Sequence, residues 1–507
     1  MNEARPATSD GLDLDRKIAA LQSPIAPATA KTGRMLLWQA LCWAALSGVL
    51  VLGVLPFMDS AAVLPCLVLL SYWFWRNLWA VWITLRAQRF RRKLWPQKRR
   101  AADKIWQEGW RPARLHVQIT ACFEAPEITR RAIFELVRQI QQENIAATLY
   151  YGTTSAYDEA ILAQFVDEAR QGAVGLDLEL VFIRLRDSGH DVPMGDVLRE
   201  IRRWGAQEND LILFLDDDTI LGPRTLQKTL PLFAADPALQ LATTDQAAIC
   251  IGPDWVCDWL RLRFAQRRQE LSAQSLSGRF LPLSGRVRFL RAGAVLDEGF
   301  IRQQEQKQRR LRGAQKHFRL SVVDALTWVH LLRNQGHMSF VPDVSVISIS
   351  LLKDLSLLEQ ASHLRRWSGE AMRNALQVLA LGPGVVSGFI WWRVLDRRVS
   401  MALSLCFPLL LLWGEQLAPG FALVWVALWL LSRYALGLFV LENRSGGAVL
   451  WYHTFCVTLL IHLSVSVLDW LNGLRLMDEE SREEAGREEL FPAPAIKDKI
   501  QGEQDKP

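Results

Sequence analysis

Apolar runs long enough to cross a bilayer stand at both ends of a polar middle, and no other feature constrains the fold of this chain as strongly. A bilayer span takes about 20 mostly apolar residues. Met35 to Phe57 and Ala61 to Leu85 meet that length, and a few residues around Asp59 join them into a predicted helical hairpin. Ser400 to Leu417, Phe421 to Leu441 and Val449 to Leu471 predict three further spans, the first of them the shortest. Half of the 507 residues are hydrophobic and 22% are charged, which excludes a disordered or collagen-like chain. The 21 tryptophans, many in or beside these runs, suit indole rings at a membrane interface. A secretory signal peptide fits poorly, because a polar segment of 34 residues comes first and the first apolar run is long, with no small-residue cleavage pattern.

Basic residues gather on the cytoplasmic side of a membrane protein. Arg86, Arg89, Arg91, Arg92, Lys93, Lys98, Arg99 and Arg100 follow the second run at once, whereas the loop at Asp59 has no base. The long middle segment is therefore expected in the cytoplasm, with the basic run serving as a topology determinant and an anchor for lipid headgroups. A net charge of only +6 argues weakly for nucleic acid, and none is expected as a partner. Seven scattered cysteines, without a CxxC pair or clustered histidines, predict neither a disulfide framework nor a zinc site.

Between Arg86 and Pro383 the pattern changes to short β-rich runs alternating with amphipathic stretches, which is α/β organisation. Strands are expected at Leu115 to Ala121, Ala147 to Tyr151, Leu178 to Leu185 and Leu211 to Leu215, with helices at Ile128 to Gln142, Tyr157 to Arg170 and Met194 to Trp204. The expected product is a parallel, Rossmann-like sheet that binds its ligand at the carboxyl ends of the strands. No GxGxxG or GxxxxGK[ST] loop follows the first strand, which argues against dinucleotide and P-loop enzymes.

The strongest chemical signal is LFLDDDT, where Asp216, Asp217 and Asp218 follow an apolar strand. Adjacent carboxylates repel one another unless a cation or hydrogen bonds compensate. Hard cations such as Mg²⁺ or Mn²⁺ take oxygen ligands, and in an extended segment Asp216 and Asp218 point the same way. An acidic turn capping the next helix is the plainer alternative.

LFLDDDTIL, the TTD at 243–245, LSGRFLPLSGRVRFLRA at 276–292, DALTWVHLLRNQGHMSFVPD at 324–343, and RRWSGEAMRN followed by LALGP and WWRVLDRRVSM across 365–401 form an ordered series. In it the chain resembles a membrane-embedded family 2 glycosyltransferase, the class of cellulose and hyaluronan synthases, and most closely the polymerase subunits of bacterial alginate synthesis. That resemblance implies a cytoplasmic GT-A domain inserted between transmembrane helices of a multi-pass protein in a bacterial inner membrane. Together with the apolar runs and the charge pattern, the expected order is a cytoplasmic segment at 1–34, a helical hairpin at 35–85, the GT-A domain at 86–350, amphipathic interface helices at 351–398, membrane helices at 399–471 and an acidic disordered tail at 472–507. The implied reaction is processive and inverting: a nucleotide-diphosphate sugar such as GDP-mannuronate is added to a growing polysaccharide such as alginate, which leaves through the membrane helices.

By the same resemblance Asp216 and Asp218 would hold Mg²⁺ or Mn²⁺ and Asp324 would be the general base, with a helix cap as the alternative for Asp324. Arg366 and Trp367 match the end of a QxxRW motif, Gly285 and Arg286 an acceptor-side turn, and Thr243, Thr244 and Asp245 a donor-side loop. Membrane lipids, a separate cyclic-dinucleotide receptor and periplasmic export subunits are the implied partners. Three positions depart from the pattern. Val323 replaces the acid before the base, His363 replaces the glutamine of QxxRW and could still donate to phosphate, and Met194 stands where a basic residue is usual. These departures keep a second reading open, a non-catalytic subunit that binds a nucleotide sugar or a partner without turnover.

Overall fold

A computed structural model describes residues 48, 52–58, 60–120, 126–153, 156–171, 176–184, 194–216, 219–251, 254–281, 286–305, 323–351 and 375–440. The expected span at Val449 to Leu471, most of the first run from Met35, the segments at 1–34 and 472–507, and much of the interface region (352–374) lie outside the described residues.

The order of elements begins with helix α1 (Val63–Arg89), which runs through a π-helical turn at Phe90–Leu94 into α2 (Trp95–Gln107). Four βα units follow: β1 (Leu115–Thr120), α3 (Pro126–Gln142), β2 (Ala147–Thr153), α4 (Ala156–Arg170), β3 (Leu178–Arg184), α5 (Met194–Arg203) and β4 (Leu211–Asp216). The strands and helices expected from periodicity in this stretch are all present. β4 is buried along its length until Asp216, the burial pattern of a strand covered on both faces. On α5, Met194, Val197, Leu198 and Ile201 recur at helical spacing and are all buried. Met194 is thus a core residue, and a basic side chain there would face the apolar interior.

The sheet differs from the expected all-parallel one. It has eight strands in the order β3-β2-β1-β4-β7-β6-β8-β5, and only the first four are parallel throughout. Short β5 (Thr219–Ile220) and helices α6 (Thr225–Thr229) and α7 (Pro231–Ala235) lead to the long β6 (Leu239–Ile251) and α8 (Asp254–Ser275). β7 (Val287–Arg291) then runs antiparallel between β4 and β6. After a stretch outside the described residues, α9 (Val323–Arg333) leads to β8 (His337–Leu351), which pairs parallel with β6 over most of its length. Helices α10 (Gly382–Val386), α11 (Gly388–Leu417) and α12 (Phe421–Val440) complete the described chain.

Among the described residues no helix is long and apolar enough to cross a membrane. Arg76 and Asn77 interrupt α1, and α11 carries Arg393, Asp396, Arg397 and Arg398 in its first turns. The start of α11 belongs to the domain: Ile390 and Val394 join its core, and the Trp391 indole donates to the Leu379 carbonyl at 2.9 Å. A second apolar cluster joins α1, the 52–58 helix and α12, with Phe57 edge-on to Phe421 at 5.1 Å.

The basic run after α1 is not left for lipid alone. Arg86 donates to the Ala273 carbonyl and to Ser277 Oγ at 3.3 and 2.8 Å, Arg91 bonds Gln269, and Arg99 pairs with Asp343 at 2.9 Å. The helix that carries these bases leans on the α/β domain, so several of them neutralise that domain's own carbonyls and carboxylates.

Candidate active site

β1 lies between β2 and β4, and the winding of the sheet reverses at this point. In an open α/β sheet such a switch point opens a crevice at the carboxyl ends of the strands. The last residues of the two strands, Thr120 and Asp216, are register partners there. The apolar run that precedes Asp216 therefore places this residue at the carboxyl end of β4, beside the switch point.

β7 brings the second segment to the same place. The Asp216 amide donates to the Arg286 carbonyl at 3.1 Å, and β4 and β7 then pair from Leu215–Val287 onward. Arg288 is opposite Phe214, with its guanidinium 5.5 Å from the ring centre. Burial pushes the Asp216 carboxyl above the ordinary carboxylate range, and the charges of Arg286 and Arg288 pull it back only in part.

The third segment sits on β6, the next strand over. Thr243 pairs with Arg288 and its hydroxyl donates to the Val287 carbonyl at 3.1 Å. Asp245 is 1% exposed and bonds the Arg268 side chain from α8, while its Oδ1 has no hydrogen-bond partner among the described residues. Burial raises the Asp245 carboxyl and Arg268 opposes it. Arg267 donates to the Thr244 carbonyl at 3.2 Å, and burial pulls its guanidinium down to about 10 against the opposing charge of Asp245. Asp245 is therefore held from within by α8 instead of standing open on a loop.

The helix bearing Asp324 is tied to the segment that leads into β7. Asp324 is the second residue of α9, and its side chain lies outside the described residues. Four residues on, the buried Trp328 indole donates to the Phe280 carbonyl at 2.7 Å, five residues before Gly285. His330, on the same helix, is 3.1 Å from the Ala294 carbonyl and stacks near Phe300 at 4.2 Å. Asp217, Asp218, Gly285, His363, Arg366 and Trp367 lie outside the described residues.

Asp216, Arg286 and Asp245, expected from three separated segments, thus come to three neighbouring strands. Arg267, Arg268 and Arg288 were not singled out in the sequence; their only signal is a basic pair in the helix after the TTD strand and an alternate-position base in β7. Cys250 and Cys257 are joined as a disulfide that closes the turn from β6 into α8, where the scattered cysteines predicted none.

A divalent cation fits the donor set at Asp216. Among the described residues no group of three or more His, Cys, Asp or Glu side chains could hold a metal. Mg²⁺, however, commonly takes only one or two carboxylates and completes its shell with substrate phosphates and water. A partly buried carboxylate at a strand end, with arginines on the adjoining strand, suits that arrangement.

Residues 112–370, about half of the chain and including every element of this crevice from β1 to β8, match the family described as glycosyltransferase like family 2. The chain belongs to that family. Its eight-stranded sheet is the α/β, GT-A-like domain of a family 2 glycosyltransferase. Glycosyltransferase alg8 of Pseudomonas syringae pv. tomato is 25% identical to it over 340 residues, 65% of this chain and 66% of that protein. Glycosyltransferase alg8 of Azotobacter vinelandii is 25% identical over 343 residues, with the same coverage. The family 2 chain therefore spans just under two thirds of the length of these curated relatives. Among solved structures, a mannosyltransferase from Pyrobaculum calidifontis in complex with GDP-Man and Mn²⁺ is 13% identical, with a TM-score of 0.39, covering 77% of this chain and 99% of that one.

Proposed function

We propose that this family 2 chain is a processive, inverting glycosyltransferase that polymerises a nucleotide-diphosphate sugar into an extracellular polysaccharide and passes it through the membrane. GDP-mannuronate and alginate are the proposed donor and polymer, on the resemblance of the motif series to alginate polymerases. The observation that carries the reading is the meeting of Asp216 with Arg286 and Arg288 at the switch point of the sheet.

The chemistry follows from those groups. Inverting transfer needs charge neutralisation at the leaving diphosphate, a base for the acceptor hydroxyl and fixed orientation of both substrates. Asp216 and Asp218 would hold Mg²⁺ or Mn²⁺, which would neutralise the diphosphate. Arg286 and Arg288 keep the crevice from accumulating negative charge before the donor arrives, and Arg366 would add a planar fork for phosphate oxygens. Asp324 would take the proton of the acceptor hydroxyl as its oxygen forms the new glycosidic bond and the nucleoside diphosphate departs. Trp367 would stack on the acceptor sugar, Gly285 would let the backbone approach it, and His363 would donate to phosphate or hydroxyl.

Placement in a bacterial inner membrane, with the α/β domain in the cytoplasm, is supported by the long apolar runs of the sequence. Large apolar side chains that face outward on α1 and α11 point the same way: Leu78, Leu85, Leu409 and Leu412 are all more than half exposed. Membrane lipids would cover that surface. A separate cyclic-dinucleotide receptor and periplasmic export subunits remain the proposed protein partners.

The second reading, a non-catalytic subunit, is favoured by Val323, an apolar residue where an acid would tune Asp324. Membranes containing the chain, with partner subunits present, are to be supplied with labelled GDP-mannuronate and other nucleotide sugars. High-molecular-weight labelled product supports the polymerase, and short single-transfer product overturns processivity.

A further inference from the structure

One face of α8 grips the donor side, and a turn further along the same helix is tied to the apolar helices. Arg267 and Arg268 hold Thr243, Thr244 and Asp245. Glu270 lies three residues past Arg267, about 4.5 Å along the axis. It is paired with Arg393 of α11, and its second oxygen is 4.0 Å from Arg397. Arg393 also donates to Asp396 at 2.6 Å. Both oxygens of Asp396 in turn accept from Nη1 of Arg76 on α1, at 3.1 and 3.2 Å, and Oδ1 also accepts the Trp75 indole N–H at 3.0 Å. Arg393 and Asp396 are 7% and 4% exposed. Although burial pushes the Glu270 carboxyl up, Arg393 and Arg397 hold it below the ordinary range, so it stays charged.

Burying such a chain of charges costs more than packing apolar side chains of the same volume. Stability alone therefore does not account for it, whereas geometry does: the ion pairs cross from α1 through α11 to α8 and end one turn from the arginines that fix the β6 segment. We propose that Glu270 is a positioning residue, drawn by Arg393 so that α8 sets the placement of Thr243, Thr244 and Asp245 on the donor side. A shift of α11 is then transmitted to donor binding through this side chain, beside the direct ties of Arg86 and Arg91 to α8. The inference rests on reading the Asp216–Asp245 edge as the donor site.

The test uses the full chain in lipid nanodiscs, titrated with GDP and with UDP in the presence of Mn²⁺ and followed by calorimetry, with a melting curve for every variant. Glu270→Gln is expected to weaken nucleoside-diphosphate binding about tenfold, within the usual range of site-to-site coupling. Glu270→Asp, which keeps the charge on a shorter arm, is expected to fall between it and the unsubstituted chain. Arg393→Lys, which keeps one charge and loses the two-pronged reach, is expected to cost about threefold and carries the test should Glu270→Gln not fold. Glu168→Gln, which alters an exposed pair with Arg130 on the outer helices, is the control and should leave binding unchanged. Lowered melting temperatures with unchanged affinity would show a purely structural tie and overturn the inference alone. Failure of the unsubstituted chain to bind either nucleotide would overturn the donor-site reading and the inference together.

Discussion

The Asp216 amide donates to the Arg286 carbonyl at 3.1 Å, joining residues 70 positions apart in one rung of the sheet. The carboxyl proposed for the cation and the turn proposed for the acceptor are therefore fixed to each other by backbone. Substitution of either side chain should leave this backbone rung intact.

Asp216→Asn is the first such case. Burial disfavours the ionised carboxyl, so its folded pKa is raised and the charged form costs stability at neutral pH. Removing the charge is expected to hold or raise the melting temperature of the donor-free protein. Nucleoside-diphosphate binding in Mn²⁺ is expected to fall about 100-fold, or about 2.7 kcal/mol, through loss of a ligand to the cation. Calorimetry and melting curves on the same preparation read both effects.

Asp324→Asn should separate chemistry from binding. Loss of a general base lowers the transfer rate by about 10² to 10⁴. Affinity for the nucleoside diphosphate is expected to change less than about twofold, since the leaving group is held elsewhere. A helix cap at this position would give the opposite pattern, with a lower melting temperature and a largely unchanged rate per folded molecule.

Arg268→Gln removes the hydrogen-bonded charged partner of the buried Asp245 carboxyl and leaves only the nearby charge of Arg267. Breaking a buried pair from one side costs about 3 kcal/mol or more. Adding Asp245→Asn in the same chain removes the orphaned charge and should restore much of that loss. Denaturant or thermal unfolding of the single and double variants measures the recovery.

His330 supplies a pH dependence. Burial pulls its imidazole below the ordinary histidine value, although the Ala294 carbonyl partly opposes this. With the folded pKa below the unfolded one, the neutral ring contributes stability that is present above about pH 6.5 and is lost as pH falls toward the folded value. Between pH 8 and 5 the melting temperature of the unsubstituted chain should drop more than that of His330→Asn, which has no proton to gain.

The parallel half of the sheet was legible because Leu211 to Leu215 and its three companion strands alternate with helices of matching length, and each βα unit signals itself locally. The antiparallel half was not. β7 inserts antiparallel between β4 and β6 from more than 40 residues along the chain, and LQLATTDQAAICI has no clean alternation to mark β6 as a strand. Asp216 could be read directly from three acids after an apolar run, whereas Arg286 and Asp245 came forward only through resemblance. Nothing in the local pattern marks Arg267, Arg268, Glu270, Arg393 or Asp396. Their roles depend on which helix packs against which, and that information is not local. Met194 shows the converse: the missing base is explained once the helix face is known, because that position points into the core.

The most direct measurement is transfer of label from a nucleotide sugar into polymer by membranes carrying the unsubstituted chain, set beside Asp216→Asn and Asp324→Asn at equal protein levels. The account expects long labelled product from the first and at least about a 100-fold loss in both variants. No incorporation from any nucleotide sugar by the unsubstituted chain with its partner subunits, or equal incorporation by all three, would contradict it.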